Sequence, residues 1–108
     1  MALDVENVSL ELIAALKPLI PLIRKHDRSL ADQLARAANS IALNAGEGAK
    51  SDAGNARARF SNAAGSANET RMALRVALVW GSVTPERAKV ALQLLDRIVA
   101  MLWKLSRR

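Results

Sequence analysis

Apolar residues recur every third or fourth position along four successive stretches of this chain, and almost none of them is aromatic. That period is the signature of amphipathic helices, whereas strands would alternate every second residue. Only Phe60, Trp80 and Trp103 are aromatic, although 51% of the 108 residues are hydrophobic. The core must therefore be assembled from Ala, Val, Leu and Ile. Small side chains allow close helix approach, so the pattern predicts an all-α fold, an antiparallel up-down-up-down four-helix bundle. A chain of this length, residues 1–108, is expected to form a single domain.

The first helix is expected from about Asp4 to Lys25, with Val5, Val8, Leu12, Leu16, Leu19 and Ile23 on one stripe. Pro18 and Pro21 fall inside it. Each lacks a backbone donor and crowds the preceding turn, which predicts a kink or break. His26-Asp27-Arg28 is the connection. The second helix is expected to open at Ser29 as N-cap with Asp32 in an approximate capping box, and to bury Leu30, Leu34, Ala37, Ala38, Ile41 and Ala45. Gly46 and Gly48 are expected to loosen its end, followed by a polar link from Lys50 to Gly54. The third helix is read as Asn55 to Trp80, closed by Gly81, with Ala56, Phe60, Ala63, Ala67, Leu74 and Leu78 inward. The fourth begins at Thr84-Pro85-Glu86, an N-cap, a proline at the first helical position and an acid in the first turn. It runs to about Leu105, where Arg107 and Arg108 suit the negative end of the helix dipole.

Charge is distributed unevenly. The net value of +6 arises entirely in the second half: residues 53–80 carry four basic and one acidic group, and residues 81–108 carry six and two. A basic half points to an anionic partner, nucleic acid or an acidic protein, or else to a solvated surface. No apolar run reaches the roughly 18 residues of a membrane-spanning helix. The N-terminal Asp4, Glu6 and Glu11 are unlike a secretory signal, and the absence of cysteine fits a reducing compartment, so a cytoplasmic location is expected.

Two helices are more apolar than a monomeric bundle requires. Ala88, Ala91, Leu92, Leu94, Leu95, Ile98, Val99, Met101, Leu102 and Leu105 span roughly half the circumference of the fourth helix. The third helix carries a second group, Gly65, Met72, Val76 and Val79, nearly opposite its core stripe. Contiguous apolar surface of this kind marks an interface, which predicts a homo-oligomer.

Polar residues follow the helical period too. Ser40, Asn44 and Glu47 share a face of the second helix, and Asn62, Ser66 and Glu69 share one on the third. If the helices are antiparallel neighbours, the rows meet. Buried amides and carboxylates need partners, so the expectation is a structural hydrogen-bond network, with a carboxylate ligand site as the alternative. Other chemistries fail on residue content. A di-metal bundle site needs Glu-x-x-His pairs, and the chain has a single histidine, His26, in a connection. Gly46-Glu47-Gly48-Ala49-Lys50-Ser51 misses the phosphate-loop spacing and follows no strand. No nucleophile, base and orienting acid assemble by spacing, so no catalytic residues, metal or cofactor are expected.

The basic residues form a more coherent set. Arg57, Arg71 and Arg75 fall within ~40° of one another on the third helix, flanked by Ser61 and Asn68. Lys89, Gln93, Arg97, Lys104 and Arg107 line the polar side of the fourth. Guanidinium groups suit phosphate because their planar fork donates two hydrogen bonds. With little aromatic interleaving, the pattern favours binding the RNA or DNA backbone in a salt-sensitive way over stacking on bases. A scaffold recruiting a protein partner is the competing expectation.

The segment Ser40-Ile41, Asn44, Glu47-Gly48 reads S-I-x-x-N-x-x-E-G, and Ala64-Gly65-Ser66 with Glu69 follows about twenty residues later. Together with Gln33-Leu34-Ala35-Arg36-Ala37-Ala38, Phe60 and the closing Met101-Leu102-Trp103-Lys104-Leu105, these residues resemble the 23S rRNA intervening-sequence protein family over most of the chain. The departure is local: Asn44-Ala45-Gly46-Glu47-Gly48 stands where the family has N-I-A-E-G. The resemblance implies a four-helix bundle assembled as a homopentameric ring, with no catalytic residues. It extends to the accessory variability proteins of diversity-generating retroelements, which pair with a reverse transcriptase and bind nucleic acid through a basic surface.

Overall fold

The computed structural model describes the backbone of residues 2–107 and the side chains of residues 4–107. Arg108, expected beside the last helix end, lies outside the described residues. The elements are α1 (Ala2–Leu16), α2 (Ile20–His26), α3 (Arg28–Lys50), α4 (Ala53–Trp80) and α5 (Pro85–Leu105), with no strand among the described residues.

The expected first helix is two helices, and its prolines explain why. α1 stops at Leu16, and a turn over Lys17–Leu19 is held by the Leu19 amide donating to the Leu16 carbonyl at 2.8 Å. Pro18 sits in this turn. Pro21 sits in the first turn of α2, where a missing amide donor leaves nothing unsatisfied. The apolar stripe survives the break, because Leu12, Leu16, Leu19 and Ile23 are all buried.

Asp27, not Ser29, caps α3. Its backbone is extended, its amide closes α2 by donating to Ile23, and its carboxylate accepts from the Leu30 amide at 3.0 Å. One residue thus ends one helix and begins the next. Ser29 lies exposed within the first turn of α3, and Asp32 pairs with Arg24 at 2.7 Å in place of a capping box.

α3 also continues past its glycines to Lys50. Gly48 is a packing position: a Cβ there would meet Phe60 Cε1 at 2.6 Å. The missing side chain admits the only aromatic ring in the core, and the helix is held by that contact despite the low propensity of glycine. The link to α4 shrinks to Ser51 and Asp52, whose carboxylate accepts from the Asn55 amide at 3.0 Å.

The ends of α4 and α5 follow expectation. Gly81 takes the left-handed conformation, φ 78°, with the amides of Gly81 and Ser82 donating to Leu78 and Ala77. Thr84 accepts from the Arg87 amide at 3.3 Å and Pro85 opens α5.

α4 packs on α3 and α5, while α1 packs on the other flanks of the same two helices. Ser40 meets Ser66, and Gly48 meets Phe60, so α3 and α4 run antiparallel. Glu6 lies beside Gly46, whereas Leu10 to Lys17 lie near Ala35 to Asn39, so α1 and α3 do the same. The 28 residues of α4 span about 42 Å at 1.5 Å per residue, which accounts for the 42 Å long dimension of the molecule. The core fills the space between the helices and includes Val5, Leu12, Ile41, Leu74, Leu95, Ile98 and Leu102, all shielded from solvent. Its two fully buried hydroxyls, Ser9 and Thr70, are satisfied by the carbonyls one turn back, Val5 and Ser66.

Candidate nucleic-acid interface

The basic residues of α4 and α5 come together because these helices are neighbours with a short link. Arg71 reaches across to Asp96 on α5, with Nη1 3.3 Å from the carboxylate, and donates to Asn68 on its own helix at 3.1 Å. Asp96 is 71% exposed, so this contact adds little stability, but it marks where the two helices sit side by side. Arg71 is therefore a bridge between helices, half-buried at the seam and sharing its charge with Asp96.

The other cations of the set are solvent-exposed. Arg57 and Arg75 are exposed on α4, Lys89, Arg97 and Lys104 on α5, and Arg107 in the turn that follows it. Counting along each helix from the Arg71–Asp96 contact, about two turns lead to Ala64 on α4 and to Trp103 on α5, and about two more on α4 lead to Arg57. Arg107 stacks on the Trp103 ring at 4.2 Å from its centroid. Trp103 is 56% exposed and so belongs to this face, which the low aromatic content of the sequence concealed. Its position could have been found from spacing, since it stands one turn before Arg107 and seven residues after Asp96.

The polar rows meet only in part. The Ser66 hydroxyl donates to Ser40 Oγ at 2.8 Å, and Asn44 Nδ2 donates to the Ser40 carbonyl at 3.0 Å and to its hydroxyl at 3.1 Å. These three, all half-buried, tie α3 to α4. Glu47, Asn62 and Glu69 stand exposed beyond them and do not enter the network. Their helical phase carries them outward, past the line where the two backbones are closest. Glu47 instead borders an open cleft of about 320 Å³ with Arg36, Asn39 and Arg59. No group of three potential metal-ligating side chains occurs among the described residues.

The second stripe of α4 does face outward. Met72 and Val79 are 56% and 88% exposed, Val76 is half-buried, and nothing lies within 4 Å of where a Gly65 Cβ would be. Trp80, 77% exposed, extends this patch and was not anticipated. The wide apolar arc of α5, by contrast, is absorbed within the chain: Leu94, Leu95, Ile98, Leu102 and Leu105 are buried, and Leu92, Val99 and Met101 pack against the core. A further apolar groove of about 430 Å³ lies along the broken α1–α2 segment, lined by Leu10, Ile13, Ala14, Ile20 and Pro21.

A split first helix, a bundle tied through Ser40, Asn44 and Ser66, and exposed cations along α4 and α5 define a small helical-bundle protein. The chain belongs to the 23S rRNA-intervening sequence protein family, whose profile matches residues 1–104. It shares its fold with a crystal structure of a protein of unknown function from the S23 ribosomal protein family of Bacteroides thetaiotaomicron VPI-5482. That match has a TM-score of 0.86 and 20% sequence identity, and covers 96% of this chain and 99% of the other. No curated protein matches the sequence. No helix among the described residues is long and apolar enough to cross a membrane.

Proposed function

We propose that this chain is a non-enzymatic, oligomeric helical bundle that binds the phosphate backbone of RNA or DNA through the outer face of α4 and α5. The observation that supports it is the exposure of Arg75, Lys89, Arg97, Lys104 and Arg107 on two adjacent helices, where Asp96 is occupied by Arg71. Glu86, the other acid of α5, lies in its first turn, near the positive end of the helix dipole. Clustered, flexible cations without base-reading geometry attract phosphate by charge and counterion release, so binding should be tolerant of sequence and steeply salt-dependent. Oligomerisation would repeat the face in each subunit.

The test is binding of a short RNA duplex at low and moderate salt by wild type and by Lys89→Glu/Arg97→Glu. Both residues are exposed and neither is part of the Arg71–Asp96 tie. Wild-type affinity should fall at least tenfold over the salt range, and the double variant should lose most of its low-salt binding. Salt-independent binding, or an unaffected double variant, sinks the assignment. The second reading, a scaffold for another protein, is favoured by the Met72, Val76, Val79 and Trp80 surface. It would gain if nucleic acid fails to bind while changes at Val79 abolish capture of a protein.

A further inference from the structure

The two exposed tryptophans occupy chemically different surroundings. Trp80 adjoins Met72, Val76 and Val79, with Arg75 as the only charge in that depression. Such a surface suits another apolar surface. Trp103 has no large exposed apolar neighbour on its part of α5: the nearest on that helix is Val90, thirteen residues away. Lys104 follows it in sequence and, like Arg107, is exposed. Arg107 covers one face of the ring, and the Ser106 hydroxyl donates to the Trp103 carbonyl at 3.1 Å, closing the turn that carries both side chains.

An aromatic ring held by a guanidinium and flanked by further cations is the arrangement that receives an unstacked base while phosphates are neutralised alongside. We propose that Trp103 is a base-stacking platform, and that the α4–α5 face accordingly prefers single-stranded to duplex nucleic acid. This rests on the phosphate-binding reading above and names the substrate class of that face. A duplex keeps its bases stacked on one another and offers Trp103 nothing but its ends; a single strand can turn a base onto the indole while its backbone follows Lys104 and Arg97.

The experiment compares a short oligouridylate with an RNA duplex of equal length at low salt, by anisotropy, for wild type, Trp103→Leu and Trp103→Phe. Trp103 is exposed, so neither change removes a core contact. Trp103→Leu should weaken the single strand about tenfold, a typical loss for one stacked base, and leave the duplex unchanged, while Trp103→Phe retains most of the preference. The chain has two tryptophans, so in a Trp80→Phe background the fluorescence of Trp103 should be quenched by oligouridylate. Equal losses on single strand and duplex, or no quenching on binding, overturn the stacking role and leave the phosphate reading standing. If wild type binds neither ligand, both fall together. Loss of oligomer mass on light scattering in Trp103→Leu would overturn it as well, by placing the indole in a subunit contact.

Discussion

At the scale of single residues, two positions decide more than their size suggests. Gly48 is where α3 lets the Phe60 ring approach its backbone, and any Cβ would overlap that ring. Alanine is the better helix former by up to ~1 kcal/mol, but a contact of 2.6 Å obliges the ring or a helix to move, at a typical overpacking cost of about 1–3 kcal/mol. The steric term wins, so Gly48→Ala should lower the melting temperature. Adding Phe60→Leu to Gly48→Ala should recover part of that loss in a double-mutant cycle, because the clash is then gone. If Gly48→Ala is stabilising by itself, the glycine is a tolerated weakness of the helix and not a packing requirement. Asp27 is the other position. Asp27→Ala removes the cap of α3 and should cost about 1 kcal/mol, whereas Ser29→Ala should fall within about 0.5 kcal/mol of wild type. Denaturant midpoints for the pair would reverse the assignment of the cap if Ser29→Ala proved the costlier change.

At the scale of elements, the chain was legible in kind and less so in its ends. The apolar stripes of all the long helices are where periodicity put them, and the Thr84-Pro85-Glu86 and Gly81 signals mark real termini. The errors share a cause. Ser29 and Asp27 are both acceptable caps by composition, and only the placement of α2 against α3 makes Asp27 the residue that turns. Gly46 and Gly48 are helix-weakening by propensity, and only the contact across to α4 turns Gly48 into a packing position. The polar rows show the same limit. Ser40, Asn44 and Ser66 engage, but Glu47, Asn62 and Glu69 do not, because joining across a helix pair depends on a few tens of degrees of rotation that periodicity leaves open.

At the scale of the whole molecule, apolar surface remains exposed among the described residues, at the α4 patch of Met72, Val79 and Trp80 and in the groove beside Leu10, which is 60% exposed. Exposed apolar area of this kind is costly in water unless covered, which supports self-association as a proposal. Met72→Glu/Val79→Glu places charge on the α4 patch without touching the core. In light scattering, wild type should run well above the 11.6 kDa of one chain, and the double variant should shift toward that mass while keeping its helical circular dichroism. A wild-type protein that sediments as a single chain at micromolar concentration removes the proposal.

The sequence by itself determined the helical class, the apolar faces, the break at Pro18 and the concentration of positive charge in the last two helices, because each is set by local spacing or composition. Only the tertiary structure decided that Arg71 meets Asp96 across the α4–α5 seam, and whether a glycine ends a helix or admits a ring. Those outcomes depend on the rotation and register of one helix against another. That is fixed by how side chains from distant parts of the chain fill the space between helices, and no local pattern contains it.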